Sequence, residues 1–202
     1  MTKIKLCGLT RPEDIREANR LGVDYVGFVF APKSARMVLP SEVKKLREGL
    51  GPAIQAVGVF VNEPAHEVAW LLNQGVIDTA QLHRHEDEGY LRRLRNLTDK
   101  PIWQAFRVKG REDVERAKRS GADVILLDSG AGMGLSFNCG LIGEIQRPYL
   151  LAGGLTPGNV GLALKNLSPW GVDVSSGIET DGKKDPEKMA AFVAAVRKED
   201  TR

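Results

Sequence analysis

The chain has 202 residues, of which 42% are hydrophobic and 27% charged, and its formal net charge at pH 7 is +3. This length suffices for one substantial core but is short for two, so we predict a single domain over residues 1–202, and no apolar run is long enough to span a bilayer. Because basic residues are interspersed with acidic ones, as in EDIREANR and EDVERAKR, and the N-terminus lacks the apolar core of a signal sequence, we expect a cytoplasmic protein that binds neither nucleic acid nor membrane.

Short apolar segments rich in β-branched residues alternate along the chain with amphipathic segments of about ten residues. The predicted strands, in chain order, are KIKLC, YVGFVF, AVGVFV, TAQLH, IWQAF, VILLD, YLLAG and VDVSS. The predicted helices between or after them are RPEDIREANRLG, PSEVKKLREGL, PAHEVAWLLNQG, DEGYLRRLRNL, REDVERAKRSG, TPGNVGLALKNL and DPEKMAAFVAAVRK. Several of these helices begin at Pro or Ser and end near Gly, as helix boundaries commonly do.

The number of these elements predicts the fold. Eight strands and roughly eight helices, with about 25 residues in each unit, are typical of a compact (β/α)8 TIM barrel of the α/β class. An open doubly wound sheet is the alternative. That fold would have fewer strands and a GxGxxG fingerprint after the first strand, where this chain has CGLTRPED.

In a TIM barrel the active site lies at the C-terminal ends of the strands, so the residues that end the predicted strands are the candidates for chemistry. These candidates are Cys7, Phe30 with the loop to Arg36, Val61–Asn62, His83, Phe106–Arg107, Asp128, Gly153–Gly154 and Ser175–Gly177. No group among them has the spacing of a metal site. The two cysteines, Cys7 and Cys139, form neither a CxxC pair nor a disulfide framework, so we expect no metal.

Cys7 and Asp128 end the first and sixth predicted strands. Taken alone, each has an ordinary structural explanation, because strand-end aspartates commonly cap helices and free cysteines are commonly small buried hydrophobes. Taken together, a thiol and a carboxyl group on opposite sides of the barrel mouth are suited to acid-base chemistry. Both groups would need shifted pKa values at neutral pH: burial could raise that of Asp128, while Lys5 or another cation could favour a Cys7 thiolate.

Two glycine-rich turns follow the seventh and eighth predicted strands, in LAGGLTPGNV and VDVSSGIE. In TIM barrels the loops at these two positions frequently bind phosphate through backbone N–H groups. Either turn alone could simply be a tight strand-to-helix connection. The presence of both predicts a phosphate site at Gly153, Gly154, Ser175, Ser176 and Gly177.

Several ordered segments resemble one family, the phosphoribosylanthranilate isomerases of tryptophan biosynthesis. The matching segments are KLCGLTRPED, VGFVFAPKSAR, VGVFVN, QLH, LLDSG, GLSFN, LAGGLTPGNV, VDVSSGIE and GKKD. They cover nearly the whole chain in order. Their combination is far more specific than any one of them.

The resemblance implies an Amadori rearrangement of N-(5'-phosphoribosyl)anthranilate to 1-(2-carboxyphenylamino)-1-deoxyribulose 5-phosphate, with no cofactor. By position, Asp128 matches the general acid that opens the ribose ring, and Cys7 matches the general base that removes the C2' proton. Arg36 matches the residue that pairs with the anthranilate carboxylate. His83 and Asp173 also fall in matched motifs, where they either lie near the substrate or face the core.

The chain departs from the family pattern at three positions: Arg84 follows QLH where the family usually has Gly, and Ala131 and Cys139 replace a usual Gly and a usual aromatic residue. Arg84 could bind an anionic group or lie on the surface. The segment 182–185, GKKD, could hold phosphate or form a charged loop. We expect a phosphorylated small-molecule substrate and a monomer or homodimer. The alternatives in function are another sugar-phosphate isomerase or epimerase on this barrel, and a non-catalytic barrel that binds a phosphorylated ligand.

Overall fold

The structure is a computed structural model that describes residues 1–83, 86–128, 142 and 145–201. Eight parallel strands form a closed barrel in which each strand pairs with the next along the chain and the eighth pairs with the first. The strands are β1 (Lys3–Cys7), β2 (Tyr25–Val29), β3 (Gln55–Phe60), β4 (Thr79–Leu82), β5 (Ile102–Arg107), β6 (Val124–Asp128), β7 (Tyr149–Ala152) and β8 (Gly171–Val174). The predicted TIM barrel is confirmed, and each predicted strand overlaps an observed one.

Seven helices lie within the described ranges. They are α1 (Pro12–Leu21), α2 (Pro40–Glu48), α3 (Ala65–Asn73), α4 (Glu88–Arg95), α5 (Arg111–Arg119), α6 (Val160–Asn166) and α7 (Pro186–Asp200). Pro at the first position begins three of them, since proline has no N–H to leave unpaired there. α6 begins later than predicted, because the Asn159 side chain accepts a hydrogen bond from the Thr156 N–H and closes TPGN into a turn.

The apolar residues of the barrel form two separate buried clusters. The larger one contains strand residues such as Ile4 and Phe28 together with helix residues such as Ile15 and Val43, so it lies between the barrel and the helices. The smaller one has only strand residues at its centre: Val57, Trp103, Ala105, Leu126, Leu150 and Ala152. Because side chains alternate along a strand, this second cluster fills the barrel interior.

Aromatic rings close the N-terminal end of the barrel. The Tyr25 ring lies 4.9 Å from that of Trp103 and 6.0 Å from that of Trp170, measured between centroids. All three residues lie at or near the beginnings of their strands. The interior is therefore filled at this end.

The chain between β8 and α7 contains a short hairpin that was not predicted. A single 3₁₀ turn (Ser176–Ile178) leads into β9 (Glu179–Thr180), which pairs with β10 (Lys183–Lys184) in antiparallel fashion. Asp181 and Gly182 form the reversal with φ of +50° and +74°. The GKKD segment is thus part of this hairpin, which folds back over the C-terminal end of β8.

Within the ranges given above, no helix is both long enough and apolar enough to cross a membrane.

Candidate active site

A cavity of about 800 Å³ opens at the C-terminal ends of the strands. Its walls include every residue to which the sequence analysis gave a possible site role except Gly177, but not the further strand-end candidates Phe30, Phe106 and Arg107. The lining residues are Cys7, Val29, Ala31, Pro32, Lys33, Ser34, Arg36, Val59, Val61, Asn62, Gln81, His83, Asp128, Ala152, Gly153, Gly154, Leu155, Asp173, Ser175 and Ser176. Residues widely separated in the sequence thus share one concave, partly apolar site, as ligand pockets in this fold do.

Cys7 ends β1 and is buried against the neighbouring strand. Gly27 of β2 is its register partner, and a Cβ atom at Gly27 would lie only 2.7 Å from the Cys7 Sγ atom. Glycine at this position therefore makes room for the thiol. Burial raises the pKa of the Cys7 thiol above its usual value, although the positive charge of Lys5 acts in the opposite direction.

Lys5, two residues before Cys7 on β1, forms a buried ion pair with Asp173 of β8. The Lys5 Nζ atom lies 2.8 Å from Asp173 Oδ1, and the Lys5 side chain has no exposed surface. Burial lowers the pKa of Lys5, but the carboxylate of Asp173 and the nearby Cys7 raise it more, so the net shift is upward. A fixed positive charge therefore lies next to the thiol, as the sequence suggested for Lys5.

Asp128 ends β6, and its side chain is partly exposed to the cavity. The His83 Nε2 atom lies 3.7 Å from Asp128 Oδ2, and His83 Nδ1 lies 3.1 Å from the Gln81 amide nitrogen. Gln81 is buried, and its Oε1 atom has no hydrogen-bond partner among the described residues. Since the amide donates to Nδ1, the neutral ring carries its proton on Nε2, which faces the carboxylate.

The two glycine-rich turns lie side by side. Gly153 and Gly154 have φ of +89° and +64°, values that residues with a Cβ rarely adopt. A Cβ at Gly177 would lie 1.8 Å from the backbone oxygen of Leu155, so the loop after β8 touches the loop after β7 there. Gly153, Gly154, Ser175 and Ser176 line the cavity, whereas Gly177 joins the two loops.

Arg36 is held at the cavity wall by Glu179, a residue that the sequence analysis did not select. Arg36 Nε lies 2.6 Å from Glu179 Oε1, and Nη2 lies 2.5 Å from Oε2. The Lys184 Nζ atom also binds Glu179 Oε1, at 2.5 Å, and the Ser175 carbonyl oxygen, at 3.0 Å. The signal that could have identified it is its position in the segment VDVSSGIE, directly after a predicted site loop.

In the segment 182–185, Gly182 and Lys183 are exposed before the last helix, as in a charged loop, whereas Lys184 is buried. The Lys184 side chain is only 2% exposed and donates to Glu179 and Ser175, so this lysine is not free to bind phosphate. Asp185 instead caps α7 by accepting from the N–H groups of Glu187 and Lys188. This segment therefore supports the loop after β8.

The three departures from the family pattern, Arg84, Ala131 and Cys139, lie outside the described residues. Within the described part of the chain, no group of three or more His, Cys, Asp or Glu residues is arranged to hold a metal ion.

Comparisons with known proteins agree with this geometry. The family model for N-(5'-phosphoribosyl)anthranilate (PRA) isomerase matches residues 4–195. Curated proteins named N-(5'-phosphoribosyl)anthranilate isomerase include one from Thermoanaerobacter sp., 40% identical over 98% of each chain, and one from Clostridium acetobutylicum, 42% identical over 98% of this chain and 99% of that one.

Solved structures of the same name are also similar. The crystal structure of phosphoribosyl anthranilate isomerase from Thermotoga maritima superposes with a TM-score of 0.89 at 34% identity, covering 98% of this chain and all of the other. A second crystal structure, of a phosphoribosyl anthranilate isomerase in complex with reduced 1-(o-carboxyphenylamino)-1-deoxyribulose 5-phosphate, gives 0.88 at 34% identity, with 98% and 100% coverage.

Proposed function

Because this chain belongs to the N-(5'-phosphoribosyl)anthranilate isomerase family and is therefore an isomerase of tryptophan biosynthesis, we propose that it works by acid-base catalysis with Asp128 as the acid and Cys7 as the base. The observation that carries this proposal is that a single cavity is lined by a thiol, a carboxyl group, an arginine and two glycine-rich turns. The ligand named for the similar structure has matching parts: a phosphate, an open-chain sugar and an aromatic carboxylate.

In the first step, Asp128 protonates the ribose ring oxygen. The nitrogen lone pair expels that oxygen from C1', so the ring opens to a protonated Schiff base. An acid must hold its proton until this moment, so the proposal requires that the Asp128 carboxyl group is protonated when the substrate is bound. The Nε2–H of His83, 3.7 Å from Asp128 Oδ2, faces the carboxylate that remains after the transfer.

In the second step, Cys7 removes the proton from C2'. The electron pair of that C–H bond forms the C1'–C2' double bond of an enolamine, which then tautomerises to the ketone. The buried Lys5 lies beside the thiol and favours the thiolate form, while burial and Asp173 oppose it. The base is therefore a thiol in the free enzyme that must lose its proton for the reaction.

The rest of the cavity binds the two ends of the substrate. Arg36 would pair with the anthranilate carboxylate, because a planar guanidinium presents N–H donors in a fork that fits a carboxylate. The backbone at Gly153, Gly154, Ser175 and Ser176 would hold the phosphate. The expectation of a monomer or homodimer stays a prediction for this chain; the Thermotoga maritima relative is described as dimeric, with monomers generated from it.

The test is a fluorescence assay that follows loss of phosphoribosylanthranilate made in situ, with the wild-type protein beside Cys7→Ser and Asp128→Asn. Each acid or base group contributes about 10²–10⁴-fold in rate, so we expect each variant to lose at least about a hundredfold. Activity that survives Cys7→Ser would mean that another group is the base, and Asp173 would be tested next. A folded wild-type protein without turnover would favour the non-catalytic alternative.

A further inference from the structure

Glu179 is a buried carboxylate that binds two cations and belongs to none of the roles assigned above. Its side chain is 8% exposed, and its two oxygens accept from the Nε and Nη2 groups of Arg36 and from Lys184 Nζ. Burial would raise the pKa of Glu179, but the hydrogen bonds from Arg36 and Lys184 lower it below its usual value. The carboxylate is therefore charged at neutral pH.

The geometry of the pair determines which edge of the guanidinium remains for a ligand. Glu179 occupies the side formed by Nε and Nη2. A planar guanidinium has a second two-donor edge, formed by Nη1 and the outer N–H of Nη2. Since Arg36 lines the cavity, a bound carboxylate would be received by this second edge while Glu179 holds the first.

The aliphatic part of Arg36 is fixed as well. A Cβ at Gly8 would lie 2.5 Å from Arg36 Cδ, so the arginine stem lies directly against the glycine backbone. Gly8 has φ of +78°, a conformation that also favours glycine. With the stem against Gly8 and the head on Glu179, the guanidinium is held in one place.

The charges of this cluster also suit a single anion. Arg36 and Lys184 carry two positive charges, and Glu179 carries one negative charge, which leaves one positive charge in excess. Glu179 furthermore connects Arg36 to the loop after β8, because Lys184 also donates to the Ser175 carbonyl oxygen and lies 3.3 Å from the Ser175 hydroxyl. The two binding regions of one substrate are thereby fixed relative to each other.

We propose that Glu179 is a positioning residue that orients Arg36 toward the carboxylate of the substrate. This inference rests on the proposed function, in which Arg36 receives that carboxylate. It predicts that removing the charge of Glu179 weakens binding even though the site becomes more positive. A simple counter-ion would have the opposite effect, since its removal would strengthen the attraction for an anion.

The experiment compares two substrates that differ only in the carboxylate. The first is phosphoribosylanthranilate, and the second is the same compound made from aniline, which lacks the carboxylate; chromatography measures product formation from both. For Glu179→Gln we expect KM for the carboxylated substrate to rise at least tenfold, with kcat within about threefold and little change for the aniline compound. A rise in KM that is confined to the carboxylated substrate would support the proposal.

Three further variants make the outcome unambiguous. Glu17→Gln is the matched control, because Glu17 forms the same two-bond pair with Arg20 within α1, at 2.8 and 2.6 Å, and neither residue lines the cavity. This variant should change the kinetic constants for neither substrate. Glu179→Asp keeps the charge and should restore part of the selectivity, and it replaces Glu179→Gln if that variant does not fold. Arg36→Lys keeps the charge but loses the planar fork.

The outcomes separate the two claims. If Arg36→Lys removes the preference for the carboxylated substrate and the Glu179 variants do not, the inference about Glu179 is wrong and the role of Arg36 stands. If Arg36→Lys leaves the preference unchanged, the proposed role of Arg36 fails first. Equal losses for both substrates in the Glu179 variants would indicate a structural role and overturn the proposal.

Discussion

The ammonium group of Lys5 lies 2.8 Å from the carboxylate of Asp173 inside the barrel. The two residues are register partners on β1 and β8, and Lys5 is two residues before Cys7. A buried ion pair contributes little to stability compared with apolar side chains of the same size, because both charges lose their hydration. The position of the ion pair beside Cys7 indicates an electrostatic role at the thiol. The pair holds a positive charge beside the thiol, while burial and, to a smaller extent, the negative charge of Asp173 raise the pKa of that thiol.

The first prediction concerns the protonation of Cys7. Because burial raises its pKa above the usual value of about 8.5, the thiol form dominates at neutral pH and the thiolate appears only in more alkaline solution. In a Cys139→Ser background, which leaves one of the two cysteines, the rate of alkylation by iodoacetamide should keep rising above about pH 8.5. An inflection below about pH 8 would show that Lys5 outweighs burial and that the base is already ionised.

The second prediction concerns Lys5 itself. Lys5→Met leaves the Asp173 carboxylate buried without its partner, so we expect a loss of about 3–5 kcal/mol in the free energy of unfolding at pH 7, measured in urea. Lys3→Met is the matched control, since Lys3 lies on the same strand as Lys5 and forms a 2.6 Å pair with Asp24, but its side chain is 41% exposed. An exposed pair contributes about 0–1 kcal/mol. Similar losses in both variants would contradict the view that Lys5 is the critical charge.

The third prediction concerns the space that Gly27 leaves for the thiol. In Gly27→Ala the new methyl group would lie 2.7 Å from Cys7 Sγ, so the sulfur must rotate away from its position. We expect kcat of the folded variant to fall about a hundredfold, roughly 2.7 kcal/mol of barrier. Because the new atom also meets the Cys7 Cα atom at 3.1 Å, we expect overpacking to cost about 1–3 kcal/mol in the free energy of unfolding. In the control Gly49→Ala, the new atom would meet only ordinary contacts, at 3.6 Å or more, and activity should persist. Full activity of Gly27→Ala would argue against Cys7 as the base.

The barrel was predictable from the sequence because its strands are short, apolar and bounded by clear helix signals. Pro12, Pro40 and Pro186 begin helices where expected, and Cys7 and Asp128 end strands where expected. A strand has a fixed direction and alternating faces, so its last residue reveals which side chains reach the barrel mouth. Local pattern was sufficient for this part of the site.

The contacts that orient the site were not predictable in the same way. Glu179 and Arg36 are 143 positions apart, and their pairing depends on a hairpin whose strands have only two residues each. The charged segment containing Lys184 has the composition of a surface loop, yet its ammonium group is buried by the partners it binds. Such contacts depend on how loops pack together, which no sequence period indicates.

The last prediction concerns the contact between the two glycine-rich loops. A methyl group at Gly177 would overlap the backbone oxygen of Leu155 at 1.8 Å, and a backbone atom cannot move aside as a side chain can. Gly177→Ala must therefore separate the loops after β7 and β8. If these loops bind the phosphate together, KM should rise about tenfold or more, and inorganic phosphate should inhibit correspondingly less well. Gly158→Ala is the control in the loop after β7, because its new atom would have only one neighbour, at 3.8 Å. If Gly177→Ala lowered kcat but left KM and the inhibition constant of inorganic phosphate unchanged, the phosphate would have to bind elsewhere. The contact between the loops would then serve to place Ser175 and Ser176 at the reacting end of the substrate.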